Sequence, residues 1–128
     1  MRVITGTARG RKLNTLEGRE VRPTTDQVKE AMFSIIQFEV EGAAVLDLFA
    51  GSGQLGIEAL SRGARLAVFV DQSRKAQAVI RQNLQHTGLA AQSRVAAMDA
   101  VGFLRGTRER FDIALLDPPY HAGLLEQV

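Results

Sequence analysis

Residues 51–56, Gly51-Ser52-Gly53-Gln54-Leu55-Gly56, form a complete G-x-G-x-x-G, and Asp71 lies twenty residues beyond Gly51. Such a loop brings backbone N–H groups up to a bound group, and a carboxylate at that spacing suits ribose hydroxyls. Together they make the formal fingerprint of a dinucleotide site. Asp47, near the end of the apolar run just before the loop, complicates that reading. At about 4 Å and an effective dielectric of about 20, a carboxylate and a phosphate repel by roughly 4 kcal/mol before screening. A cofactor presenting a sulfonium and an ammonium reverses the sign, and moves the reading from NAD towards S-adenosylmethionine. Asp71 serves either cofactor, and Asp99 suits an acceptor for an adenine amine.

The second chemical stretch is Asp117-Pro118-Pro119-Tyr120. Two prolines after an apolar strand remove two backbone donors and stop strand pairing, so a rigid strand-ending turn is the simplest reading. The tetrapeptide also has a specific use. A proline keeps its carbonyl, so Asp117 Oδ and the Pro118 C=O can both accept from one exocyclic NH2 group. Two converging acceptors hold the hydrogens and aim the nitrogen lone pair at a sulfonium methyl, while stabilising an amine that becomes cationic. Tyr120 can stack on the base, which must leave any helix to reach such a site.

Alternating elements position these residues. Alternation in 2–6 and 11–16 suggests a short β-hairpin. In 24–38 the apolar positions Val28, Ala31, Met32, Ile35 and Ile36 follow a helical i, i+3, i+4, i+7, i+8 pattern, with Thr24 and Gln27 at capping-box spacing after Pro23. From residue 43 the texture becomes strand-helix. Residues 43–49, 65–71, 93–99 and 110–117 read as strands, the first two buried on both faces. Helices follow the glycine loop as far as Gly63, span 73–87 with Gly88 as the stop, and form a short segment at 100–106. In the long helix, Ala76, Val79, Ile80 and Leu84 are expected inward. This order predicts a doubly wound parallel α/β sheet. Asp47, Asp71, Asp99 and Asp117 then fall at or near the carboxyl ends of four strands, the edge where such sheets bind ligands. One such aspartate could be a cap or turn residue; four in register beside a glycine loop favour a site.

Composition bounds the rest. The 128 residues suffice for one domain with a single core, and their 45% apolar and 23% charged content is that of a globular protein. No apolar run approaches the roughly 20 residues of a membrane helix, and the N-terminus lacks a signal peptide's apolar core, so a cytoplasmic location is expected. With no cysteine there is neither a disulfide framework nor a thiolate site. No metal cluster is expected either: His86 sits late in a helix, where it complements the C-terminal dipole, and His121 follows Tyr120. Residues 1–22 hold Arg2, Arg9, Arg11, Lys12, Arg19 and Arg22 against Glu17 and Glu20, and all the excess positive charge of the chain lies there. A solvated ribbon and a phosphate-contacting arm both fit this run.

Asp117–Tyr120 matches the [D/N/S]-P-P-[Y/F] signature of S-adenosylmethionine-dependent amino-methyltransferases, and residues 47–53 (DLFAGSG) resemble their cofactor loop. The segments 1–13, 22–36 and 47–64, in that order, resemble the bacterial 16S ribosomal RNA guanine-N2 methyltransferase family. The resemblance covers essentially the whole chain. It implies a Rossmann-like S-adenosylmethionine-dependent methyltransferase fold: a basic β-hairpin and loop at 1–22 and a partial catalytic domain at 23–128. The sheet is expected to be incomplete at its C-terminus, with strand four as an apolar edge. The resemblance further implies Asp117, Pro118 and Tyr120 as the catalytic residues. It puts Arg22, Pro23, Thr24, Asp47, Gly51, Gly53, Asp71, Asp99 and Ala100 around the cofactor, and Arg9, Arg11 and Lys12 on 16S ribosomal RNA or the small ribosomal subunit. Three alternatives stand beside it: the same chemistry on another base such as DNA adenine, an NAD oxidoreductase, and a non-catalytic cofactor- or RNA-binding module.

Overall fold

The computed structural model describes residues 2–15 and 26–116. Four parallel strands, β1 (Ala44–Leu48), β2 (Leu66–Val70), β3 (Ser93–Ala96) and β4 (Ile113–Leu116), lie in the order β3-β2-β1-β4. Among the described residues β4 pairs with β1 alone, so it forms an edge, as the sequence leads one to expect. Helices α1 (Asp26–Ile35), α2 (Gln54–Ser61), α3 (Arg74–Thr87) and α4 (Ala100–Gly106) surround the sheet.

Strand periodicity divides the core into two layers. Val45, Ala67 and Phe69 pack with Ile57, Leu60, Ile80 and Leu84 of α2 and α3, and Leu46, Leu48, Val68 and Val70 pack with Ala100 and Phe103 of α4. Every residue of β1 is buried, the pattern of a strand covered on both faces. Burying a side chain such as Phe69 or Ile80 contributes on the order of 1.5–3 kcal/mol. The helix ends follow the local sequence. Ser73 caps α3 by accepting from the Ala76 amide, Gly88 ends it at φ 75°, and Asp99 caps α4 by accepting from Gly102 N–H.

The expected short N-terminal hairpin is minimal: a single antiparallel bridge joins Arg2 to Lys12, closed by Val3 N–H to Arg11 O and Gly10 N–H to Val3 O. Its amides at Ile4 and Thr5 turn to Glu58 rather than to a partner strand, because docking on α2 supplies acceptors that a two-residue ladder cannot. One expectation is corrected: in α1 the buried residues are Lys29 and Phe33, with Met32 and, just past the helix, Ile36 partly buried against the core, while Val28 is 50% and Ile35 80% exposed. The helix is rotated from the apolar stripe so that Lys29 reaches buried Glu58, a pairing outside the helix that periodicity does not see.

Candidate functional site

The glycine loop closes the carboxyl end of β1. Phe49, a non-glycine residue, holds φ 57°, followed by Gly51 at 59° and Gly53 at 82°. A left-handed conformation at Phe49 costs energy that the packed surroundings must offset. The turn is fixed by Ala50 N–H to Val70 O (3.1 Å) and Gly53 N–H to Ala50 O (2.7 Å), and Gly53 is the residue from which α2 starts. The third glycine serves packing. A Cβ on Gly56 would stand 2.4 Å from Phe69 Cε2 and 3.1 Å from Asp47 Oδ2, so α2 lies closer to the sheet than any side chain would permit.

Asp47 is buried beneath this loop, and its Oδ2 accepts from Gly56 N–H at 2.9 Å. Its negative charge sits at the positive end of α2, so it acts first on the loop's own backbone. Asp71, one residue beyond β2, ties the loop to the next strand. Its Oδ2 accepts from Gly51 N–H (3.0 Å) and its Oδ1 from Ser73 N–H (2.9 Å), while its own N–H donates to Ala96 O of β3 (3.3 Å). Gly51, Asp71 and the end of β3 thus form one connected edge. Asp99 is exposed there, with one carboxylate oxygen committed to capping α4, and Ala100 is buried behind it. Leu116 pairs with Leu48, so β4 ends level with the residue that precedes the glycine loop. Asp117, Pro118 and Tyr120, like Arg22, Pro23 and Thr24, lie outside the described residues.

Arg9, Arg11 and Lys12 are exposed on the N-terminal loop. Polar side chains that the sequence does not announce hold that loop in place. Glu58 Oε1 accepts from Ile4 N–H (2.8 Å) and Oε2 from Thr5 N–H (3.1 Å), with Lys29 Nζ at 3.5 Å and Arg62 Nε at 2.9 Å. Lys29 Nζ also donates to Arg2 O at 2.7 Å. Burial lowers the Lys29 pKa from its ordinary value, against the raising effect of the Glu58 charge. Ser61 Oγ accepts from Ala8 N–H and donates to Thr5 O. Asn83, fully buried in α3, joins the loop to the glycine turn: Oδ1 accepts from Asn14 N–H (2.7 Å), and Nδ2 donates to Asn14 O (3.0 Å) and Ser52 O (2.9 Å). The one signal available in sequence was position. Glu58 and Asn83 are polar residues on faces that the helical period assigns to the core.

The whole chain, residues 1–128, matches the family described as Conserved hypothetical protein 95. Ribosomal RNA small subunit methyltransferase D of Haemophilus influenzae is 38% identical over 130 residues, covering 99% of this chain and 67% of the relative. The chain belongs to the ribosomal RNA small subunit methyltransferase D family. YlbH of Bacillus subtilis, a relative whose name refers to rRNA methylation, is 46% identical over 123 residues, covering 94% of this chain and 67% of its own. The solved structure of yhhF from Escherichia coli superposes with a TM-score of 0.88 at 38% identity, covering 99% of this chain and 68% of that one. The chain therefore spans about two thirds of the length of these family members. Its architecture is the Rossmann-like fold of S-adenosylmethionine-dependent methyltransferases, which places the glycine loop, Asp71 and the end of β4 at one sheet edge.

Proposed function

We propose that the protein transfers a methyl group from S-adenosylmethionine to the exocyclic N2 amine of a guanine in 16S ribosomal RNA, in the cytoplasm. The observation that carries this reading is the direct bond from Gly51 N–H to Asp71 Oδ2. It holds the loop that must receive the cofactor against the carboxylate suited to its ribose. Two family members carry names that refer to rRNA methylation, which supports the polymer class. Guanine N2 rests on the resemblance of Asp117–Tyr120 and the ordered segments around it.

The residues fit this cofactor better than a dinucleotide. Asp47 puts a buried negative charge directly under the glycine loop, a poor support for a pyrophosphate. When bound, the cofactor supplies an electrophilic methyl on sulfur, and the chain has to orient and shield the nucleophile. Asp71 is assigned to the ribose hydroxyls, Asp99 with Ala100 to the adenine, and Arg22, Pro23 and Thr24 to the segment closing over the cofactor. Asp117 and the Pro118 carbonyl accept the two hydrogens of the guanine amine, so its lone pair faces the methyl carbon. Tyr120 stacks on the base and keeps it out of the RNA helix. As the N–C bond forms the C–S bond breaks, releasing S-adenosylhomocysteine; Asp117 stabilises the positive charge on the methylated amine until one N–H proton is lost to solvent.

Calorimetric titration with S-adenosylmethionine and with NADH, followed by mass spectrometry of 16S RNA incubated with the protein, tests the reading. Binding of S-adenosylmethionine alone and one N2-methylguanine per RNA are expected. Binding of NADH alone would overturn the cofactor. A methylated adenine, or an unmodified RNA, would overturn the substrate.

A further inference from the structure

The two longest stretches without aspartate or glutamate are residues 1–16 and 72–98, although fourteen such residues occur in the 128. They are far apart in sequence and adjoin in the fold. Arg11 Nη1 donates to His86 O at 3.3 Å, Asn14 Nδ2 to Gln82 Oε1 at 3.3 Å, and Asn14 and Asn83 exchange two further bonds. The N-terminal loop is thus seated on α3, and the two acid-free segments form one continuous surface.

Helix α3 has one apolar face turned to the sheet and an opposite face with a distinct composition. Arg74, Ala78, Arg81 and Gln85 fall on a single stripe at i, i+4, i+7 and i+11, and all are exposed. A solvated helix face normally carries charges of both signs, paired at i, i+4. This one carries only cations, and among the described residues no ion pair engages Arg74, Lys75 or Arg81. Beside it lies a shallow pocket of about 250 Å3, with Arg81, Gln85, Ser93 and Arg94 at its rim over Leu84 and Val95. Asp71, three residues before Arg74, is occupied by the Gly51 and Ser73 amides, and Glu109 by Arg94 of the pocket.

We infer that the exposed face of α3, through Arg74 and Arg81, is a second contact for the phosphodiester backbone of the RNA, continuous with Arg9, Arg11 and Lys12. The inference rests on the RNA substrate proposed above and extends it to a part of the molecule with no assigned role. Arg74 and Arg81 are about 10 Å apart along the helix at 1.5 Å per residue, so they reach separate phosphates rather than one.

The test compares the protein with its Arg74→Gln/Arg81→Gln and Arg9→Gln/Arg11→Gln variants, measuring affinity for a 16S RNA fragment over a salt series. S-adenosylmethionine titration is the folding control. Loss of two phosphate contacts is expected to weaken binding roughly tenfold or more near physiological salt and to flatten the log-affinity against log-salt slope by about 1.5–2, with cofactor affinity unchanged. If the α3 variant keeps the parent affinity and slope while the loop variant loses them, the inference fails and the RNA substrate stands. If the parent itself shows no salt-dependent affinity for the RNA, the proposed substrate fails, and the inference with it.

Discussion

Asn83 and Asn14, 69 residues apart, hold each other by two hydrogen bonds: Asn14 N–H to Asn83 Oδ1 at 2.7 Å and Asn83 Nδ2 to Asn14 O at 3.0 Å. The second hydrogen of the same amide goes to Ser52 O in the glycine loop. One buried side chain therefore joins the basic N-terminal segment to the candidate cofactor loop. Asn83→Asp removes both donors and sets a carboxylate against two carbonyls. The variant is expected to lose about 2–3 kcal/mol in urea unfolding and to bind S-adenosylmethionine more weakly, because Ser52 is no longer held. Parent-like values in both measurements would show the bridge to be incidental.

Gly6 occupies the tightest approach between the N-terminal loop and α2. It holds φ 94°, and a Cβ there would stand 1.8 Å from Ser61 O. Gly6→Ala must displace the loop from Ser61 and Glu58, with an expected cost of about 1–3 kcal/mol. Protease sensitivity within residues 2–13 should rise, and thermal unfolding should fall by several degrees. Gly10, with φ 82° and no neighbour within 4 Å of its Cβ, provides the control in which backbone strain acts without the clash.

The pH dependence of stability carries the signature of Lys29. Burial places its folded pKa below the ordinary 10.5, so between those two values the unfolded chain binds more protons than the folded one. Stability from this group therefore rises with pH across that window. Lys29→Met should remove the rise. It should also cost stability at neutral pH, since Glu58 then keeps Arg62 and two backbone amides but loses the ammonium. Denaturation curves of both proteins from pH 7 to 11 test the sign.

Asp71→Asn tests the ribose role. The amide oxygen can still accept from Gly51 N–H, while the amide nitrogen then faces Ser73 N–H and the charge that favours sugar hydroxyls is gone. Calorimetry should show S-adenosylmethionine affinity reduced roughly ten- to a hundredfold, as for loss of charge-assisted bonds worth about 1.5–3 kcal/mol. Global stability should fall by about 1–2 kcal/mol, for the one lost bond to Ser73 N–H. An unchanged affinity would remove Asp71 from the site.

Much of this molecule is determined by short stretches of sequence. The strands at 44–48 and 66–70, the stops at Gly63 and Gly88 and the caps at Ser73 and Asp99 follow from local rules, because each depends on backbone conformation and near neighbours. The parallel sheet and its ligand edge follow from the order of those elements. Only the tertiary structure decided the phase of α1, which turns Lys29 inward and leaves Ile35 and Phe38 at 80% and 90% exposure. It also decided that Asp47 lies beneath the glycine loop, that Glu58 and Ser61 anchor the N-terminal segment, and that Asn83 spans it to Ser52. The reason is common to these cases. A buried polar group is tolerated only where a partner meets it, and here the partners are supplied by segments from nine to more than fifty residues away in the chain. Periodicity reads which residues avoid water; it carries no record of which distant amide or ammonium a buried oxygen will find.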